Sequence, residues 1–268
     1  MAGSRFDGRV AVVTGASRGI GRAIAVQLAG EGARLVLNAY AERPGLEATA
    51  AACAAAGGEA DVVDGDLADP NVPRLLVERA VEQFGGVDLV VNNAFWEEHG
   101  SVLDATLEGW DRTIQVCLRA AMLTVQAAMP VMLERGGGVI VNVSSVHGVA
   151  SSPGFVSYES AKAGLLGLTR SVAVEFGPRH VRSNAVCPGF ILTERTSAGW
   201  AGNAREQALL LAAIPLRRPG QPEEIARAVA FLGSDDASFV NGAVLCVDGG
   251  STASLVETGT RHLLDSLP

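Results

Sequence analysis

The sequence predicts an α/β fold, a doubly wound parallel sheet of about seven strands with helices on both faces. Two observations carry this. Short apolar runs recur along the 268 residues with helix-like segments between them, and 48% hydrophobic content comes with only 5% aromatic residues and with 32 glycines. A core poor in rings and rich in small residues favours helices packed closely on strands.

The runs fall at 10–13, 35–37, 62–63, 89–91, 139–143, 181–186 and 243–247. Each is too short for a helix and suits a strand buried on both faces. After the first, Ile20, Ile24 and Leu28 recur at helical spacing and place a stripe on one face, with Gly30 and Gly32 ending the helix. Segment 191–214 differs, carrying Gly199, Trp200 and Gly202 before an Ala/Leu stretch; it reads equally as a mobile flap or as a surface helical hairpin. A tail, 251–268, follows the last strand. No repeat or linker divides the chain, so 1–268 reads as one domain.

The formal net charge of −8 repels phosphate backbones, and nucleic acid is not an expected partner. The longest apolar stretch, 120–133, is broken by Gln126 and Pro130, and residues 1–9 lack a signal-like apolar core; the reading is cytoplasmic, with no membrane partner. Cys53, Cys117, Cys187 and Cys246 lack CxxC spacing, and His99, His147, His180 and His262 are scattered, so no metal site is expected.

Thr14-Gly15-Ala16-Ser17-Arg18-Gly19-Ile20-Gly21 follows the first strand and opens the first helix. In that context glycines let backbone N–H groups approach a pyrophosphate, and the helix N-terminus adds partial positive charge. Asp66-Leu67 and Asn93-Ala94 close the third and fourth strands, at carboxyl ends where ligands bind in open sheets; an Asn there also serves simply to cap a loop. Tyr158-Glu159-Ser160-Ala161-Lys162 places a phenol and an ammonium one helical turn apart. YxxxK is common in surface helices. Its weight comes from Ser144-Ser145 upstream, at the end of the fifth strand, and from the expectation that a nearby cation draws the phenol's pKa down.

With these motifs the sequence resembles the short-chain dehydrogenase/reductase family, in its compact Rossmann-fold form, from about Gly8 to Gly250. The resemblance implies an NAD(P)-dependent oxidoreductase, with carbonyl reduction favoured. Ser145 would orient the substrate oxygen, Tyr158 would transfer the proton, and Lys162 would hold the nicotinamide ribose while tuning Tyr158. By the same resemblance Pro188, Gly189, Ile191 and Thr193 would hold the carboxamide. The ending Val247-Asp248-Gly249-Gly250 implies a subunit interface and a homotetramer or dimer. Trp96, His147, Phe190 and Trp200 are the candidate substrate contacts.

Two departures stand out. The family's usual asparagine in the helix after the fourth strand is Cys117 here, a weak donor and acceptor that also reads as a small buried residue. Phe95 replaces the usual glycine after Asn92-Asn93-Ala94, a bulky side chain where backbone and cofactor would run close. It is followed by Trp96-Glu97-Glu98-His99, whose two acids read as a solvated loop.

The second strand ends Asn38-Ala39-Tyr40, without the acid that accepts both ribose hydroxyls of NAD. Arg18, helped by Arg43, is placed to meet a 2′-phosphate, with Glu42 near enough to oppose it. NADP(H) is therefore expected over NAD(H), serving hydride transfer to or from a ketone or secondary alcohol. Two other classes fit part of the sequence: a redox-silent NADP(H)-binding sensor, suggested by Cys117 with Phe95, and a non-redox lyase or epoxide-opening enzyme on the same scaffold.

Overall fold

All seven apolar runs form strands. The computed structural model describes residues 4–200 and 204–254. Within them lie β1 (Val10–Thr14), β2 (Arg34–Ala39), β3 (Glu59–Asp64), β4 (Leu89–Asn92), β5 (Gly138–Val143), β6 (Val181–Pro188) and β7 (Val244–Val247). They form one parallel sheet in the order β3-β2-β1-β4-β5-β6-β7. The chain winds outward from β1 in both directions, which opens a crevice at the carboxyl ends of β1 and β4.

Side chains alternate along the strands. Ala11 and Val13 of β1 face one core with Ile24 and Leu28 of α1 (Gly19–Gly30), Leu46 of α2 (Arg43–Ala55) and Val229 of α9 (Pro222–Gly233). Val10 and Val12 face the other, with Leu76 of α3 (Val72–Phe84), Met132 of α5 (Ala120–Glu134) and Val172 of α6 (Val156–Phe176). Ile24 and Leu28 are fully buried, each contributing about 1.5–3 kcal/mol from removal of apolar surface, so the predicted stripe is what holds α1 against the sheet.

The apolar stretch near 120 is longer than the sequence suggested. Leu107–Glu134 is one helical run, made of α4 (Leu107–Ile114), a π-helical turn at Gln115–Arg119, and α5, which continues through both Gln126 and Pro130. It has the length and apolarity of a membrane span, but Ala121, Val125, Ala128, Met129 and Met132 are buried among the other side chains. Segment 191–214 holds two short helices, α7 (Glu194–Trp200) and α8 (Ala204–Ala213). Of the predicted tail, Ser251–Ala253 makes a 3-10 turn; 255–268 lie outside the described residues.

Candidate active site

The glycine turn closes on itself tightly. Gly15 sits at φ +66, in the left-handed region that favours glycine. A Cβ on Gly21 would fall 2.0 Å from the Gly15 carbonyl oxygen and 2.6 Å from Asn93 Nδ2, so position 21 admits only hydrogen. Asn93 Nδ2 donates to the Thr14 and Gly15 carbonyls at 2.9 and 3.1 Å, and the Asn93 and Ala94 N–H groups donate to Thr14 Oγ1. The Asn93 amide therefore ties the turn to β4, a positional task beyond the ligand contact the sequence suggested.

A cleft of about 930 Å³ lies over the carboxyl ends of the strands, where the predicted residues converge. Gly15, Ser17, Arg18, Gly19, Ile20, Gly21, Asp66, Leu67, Asn93 and Ala94 line one part, and Ser145, Tyr158, Lys162, Pro188, Gly189, Ile191 and Thr193 another, with Trp96, His147 and Phe190 at the mouth. The side chain of Trp200 lies outside the described part of the chain.

Ser145 caps a 3-10 turn, Val146–Gly148, by accepting from the His147 N–H at 3.1 Å. Its hydroxyl hydrogen-bonds the Tyr158 phenol. One turn along α6, Lys162 is buried, with Nζ 5.6 Å from the Tyr158 ring centroid and donating to the Val143 carbonyl at 2.8 Å. Burial pushes the phenol above its ordinary value, Cys117 adding to the rise while the Ser145 hydrogen bond opposes it. Burial lowers the Lys162 ammonium. The expectation of a phenol drawn down by its lysine is thus reversed: both groups are taken out of water, and desolvation disfavours each charged form.

Phe95 does not obstruct the turn. The close approach occurs at Ala94, whose Cα lies 2.8 Å from where a Gly15 Cβ would be, and the Phe95 ring instead stands edge-on to Tyr158 with centroids 6.3 Å apart. Nor do the two acids form a solvated loop. Glu97, with its side chain 12% exposed, pairs with Arg195 of α7 and lies 3.5 Å from His99 Nε2. Glu98 accepts from Thr106 Oγ1 at 3.0 Å, at the start of α4. Arg195 also stacks over Phe95, 4.9 Å from the centroid. Cys117 is buried in the π-helical turn, and its Sγ accepts from the Trp96 N–H at 3.3 Å and donates to the Trp96 carbonyl at 3.2 Å. Burial raises its thiol pKa, as suits a packing residue that also positions the mouth loop.

At the far end of the cleft, Arg18 pairs with Glu42 at 3.4 Å; Arg43, which the sequence offered as its helper, is not among the cleft-lining residues and pairs instead with Glu47 at 3.0 Å on the surface of α2. Arg112 joins Asp66 at 2.8 Å and lies over the Tyr40 ring. Arg195 went unnoticed in the sequence, and Tyr40 figured there only as the end of the second strand, because no motif or spacing marks either as part of the cleft.

The family described as Enoyl-(Acyl carrier protein) reductase matches residues 15–252. A 3-oxoacyl-[acyl-carrier-protein] reductase, FabG, of Staphylococcus aureus is 39% identical over 240 residues, covering 90% of this chain and 96% of its own. A solved structure provisionally described as a short-chain alcohol dehydrogenase from Sinorhizobium meliloti 1021 superposes with TM-score 0.88 at 37% identity, covering 94% of this chain and 100% of its own. Another, provisionally described as a 2-deoxy-D-gluconate 3-dehydrogenase from Agrobacterium tumefaciens with bound NADP, gives TM-score 0.85 at 36% identity, covering 95% and 100%. With the glycine turn and the Ser145, Tyr158 and Lys162 side chains lining one cleft of a seven-stranded Rossmann sheet, the chain belongs to the short-chain dehydrogenase/reductase family of oxidoreductases.

Proposed function

We propose that the protein transfers a hydride between NADP(H) and a ketone or secondary alcohol, with Ser145, Tyr158 and Lys162 as catalytic residues. The observation that carries this is the shared cleft: the Gly15-to-Gly21 turn at one end and a buried Ser-Tyr-Lys set further along it. The cleft fits a dinucleotide. Its turn leaves no room for a side chain at Gly21, and Lys162 has donors beyond the one engaged by Val143.

When bound, the nicotinamide supplies the hydride. The residues do the rest. Ser145 accepts from the His147 N–H and turns the hydrogen it shares with the Tyr158 phenol toward the substrate oxygen. Tyr158, held neutral by burial, donates its proton to that oxygen as negative charge develops there. Lys162 offers its remaining donors to the nicotinamide ribose, with Pro188, Gly189, Ile191 and Thr193 placing the carboxamide. Phe95, Trp96 and Phe190 line the part of the cleft that the substrate would enter.

Preference for NADP(H) over NAD(H) is supported by β2, which ends at Ala39 with no acid to accept ribose hydroxyls, and by Arg18 beside it. The substrate is a small-molecule carbonyl or alcohol, as the names of the relatives suggest. A homo-oligomer, tetramer or dimer, is supported by β7, an edge strand with Leu245 exposed, and a cytoplasmic setting by four free cysteines.

The test is Tyr158→Phe. Expected is loss of NADPH-dependent ketone reduction across a substrate panel with cofactor binding retained; turnover equal to the parent would refute the role. Cofactor binding by the parent without turnover of any ketone or alcohol would favour the sensor reading, and product formed without cofactor the lyase reading.

A further inference from the structure

We propose that His147, oriented by Glu159, is a second oxygen-binding group of the cleft, which selects ketones bearing a hydroxyl on the carbon next to the carbonyl. This rests on the reading above, in which Ser145 and Tyr158 hold the reacting oxygen.

His147 Nδ1 lies 2.9 Å from Glu159 Oε1. The same carboxylate oxygen accepts from the Ser152 N–H at 2.6 Å, so it is held from two sides. Burial by itself would raise the Glu159 carboxyl, yet the bonds from His147 and Ser152 keep it below the usual range; it is an acceptor throughout the neutral range. In the neutral ring, a carboxylate at Nδ1 places the hydrogen on Nδ1 and leaves the lone pair on Nε2. Among the described residues Nε2 has no hydrogen-bond partner.

The ring is fixed in orientation as well as in tautomer. It packs 4.7 Å, centroid to centroid, from Phe155 and 6.0 Å from Tyr158, and its own backbone N–H bonds Ser145 Oγ. The imidazole, the Ser145 hydroxyl and the phenol thus form one connected assembly. Both His147 and Tyr158 line the cleft. With a hydrogen bond of about 2.8 Å extending from each, rings 6.0 Å apart reach oxygens on neighbouring carbons. A lone pair on Nε2 is satisfied by a hydroxyl and not by a second carbonyl, which selects a vicinal hydroxyketone, reduced to a vicinal diol. Glu159 itself is a positioning residue, since it acts through His147.

The experiment compares matched probes on the full chain. For turnover the pair is 2-hydroxycyclohexanone against cyclohexanone, with NADPH. For binding it is cyclohexane-1,2-diol against cyclohexanol, by calorimetry on the NADP-loaded protein. The parent should prefer the dioxygenated member by about tenfold or more in kcat/KM and in affinity, because a hydrogen-bonding site left unpaired rejects the analogue lacking the hydroxyl. His147→Phe should reduce that ratio toward one. Glu159→Gln should reduce it in part, through KM for the hydroxyketone more than through kcat. Because each readout is a ratio within one variant, a general loss of folding does not imitate it, and the parent's own ratio decides the matter should His147→Phe not fold. Equal affinity of the parent for diol and alcohol, or binding of neither, overturns the proposal, as does a ratio unchanged in His147→Phe. Diol-selective binding without turnover of either ketone would refute the hydride-transfer reading and leave the His147 site standing.

Discussion

The backbone N–H of Gly19 donates to Glu194 Oε2 at 3.1 Å. A carboxylate from the first residue of α7 therefore rests on the N-terminus of α1, at the glycine turn where a pyrophosphate would lie, with Arg22 Nη1 3.6 Å from its other oxygen. An anion there is favoured by the helix dipole, so Glu194 and a dinucleotide phosphate compete for the same field.

Glu194→Gln should tighten NADP(H) binding. Removing one exposed charge from a helix N-terminus shifts the balance by about 0.3–1 kcal/mol, or roughly two- to fivefold in Kd, more at low salt than at high. Fluorescence titration with NADPH at two ionic strengths measures it. Weaker binding by the variant would mean that Glu194 supports the site instead of contesting it.

The strands, the turn and the Ser145-Tyr158-Lys162 set were legible because each is local: a strand is a short apolar run, the turn is Gly15, Gly19 and Gly21 in register, and Tyr158 and Lys162 share one helix face. What stayed hidden depends on contacts across the chain. Glu97 and Glu98 look solvated in sequence, yet one meets Arg195 and the other accepts from Thr106, the residue that caps α4, partners that no spacing announces. Burial is equally silent in the sequence. The Tyr158 phenol carries an ammonium one turn away, and its pKa still rises because both groups leave water.

That burial sets the pH dependence. A phenol pKa raised above its ordinary value keeps the proton on Tyr158 through roughly pH 6–9, so under the proposed roles the acid for carbonyl reduction would be present throughout. Alcohol oxidation needs the phenolate, whose fraction grows with each step up in pH. The kcat/KM for reduction should stay nearly flat across that window while that for oxidation climbs. Profiles measured in both directions decide it, and an oxidation rate independent of pH would contradict the assignment.

Cofactor choice should respond to the Arg18–Glu42 pair, 3.4 Å apart and partly exposed. Glu42→Gln frees the guanidinium for a 2′-phosphate, and the ratio of NADPH to NADH in kcat/KM should rise several-fold. Arg18→Ala should lower it. Exposed charges in water act weakly, by about 0.2–1 kcal/mol each, so neither variant should switch the preference outright. A ratio unmoved by both substitutions would place the 2′-phosphate contact elsewhere, with Arg112 beside Tyr40 the next candidate.

Asn93 offers a test in which two substitutions of different chemistry must rank in one order. Its Nδ2 satisfies the Thr14 and Gly15 carbonyls from a buried position. Asn93→Ala leaves both acceptors without that donor and should cost about 1–3 kcal/mol, with cofactor affinity falling because Gly15 is no longer held. Asn93→Asp keeps the shape but brings acceptor oxygens against two carbonyls, where like partial charges repel, and burial then forces the carboxyl to take up a proton or the turn to open. The aspartate variant should therefore be the less stable of the two at neutral pH and should recover as pH falls, since its protonated form regains a donor. Thermal melts at neutral and mildly acidic pH, with and without NADPH, measure this ranking. An aspartate variant as stable as the alanine one at neutral pH would show that the side-chain amide does not hold the turn.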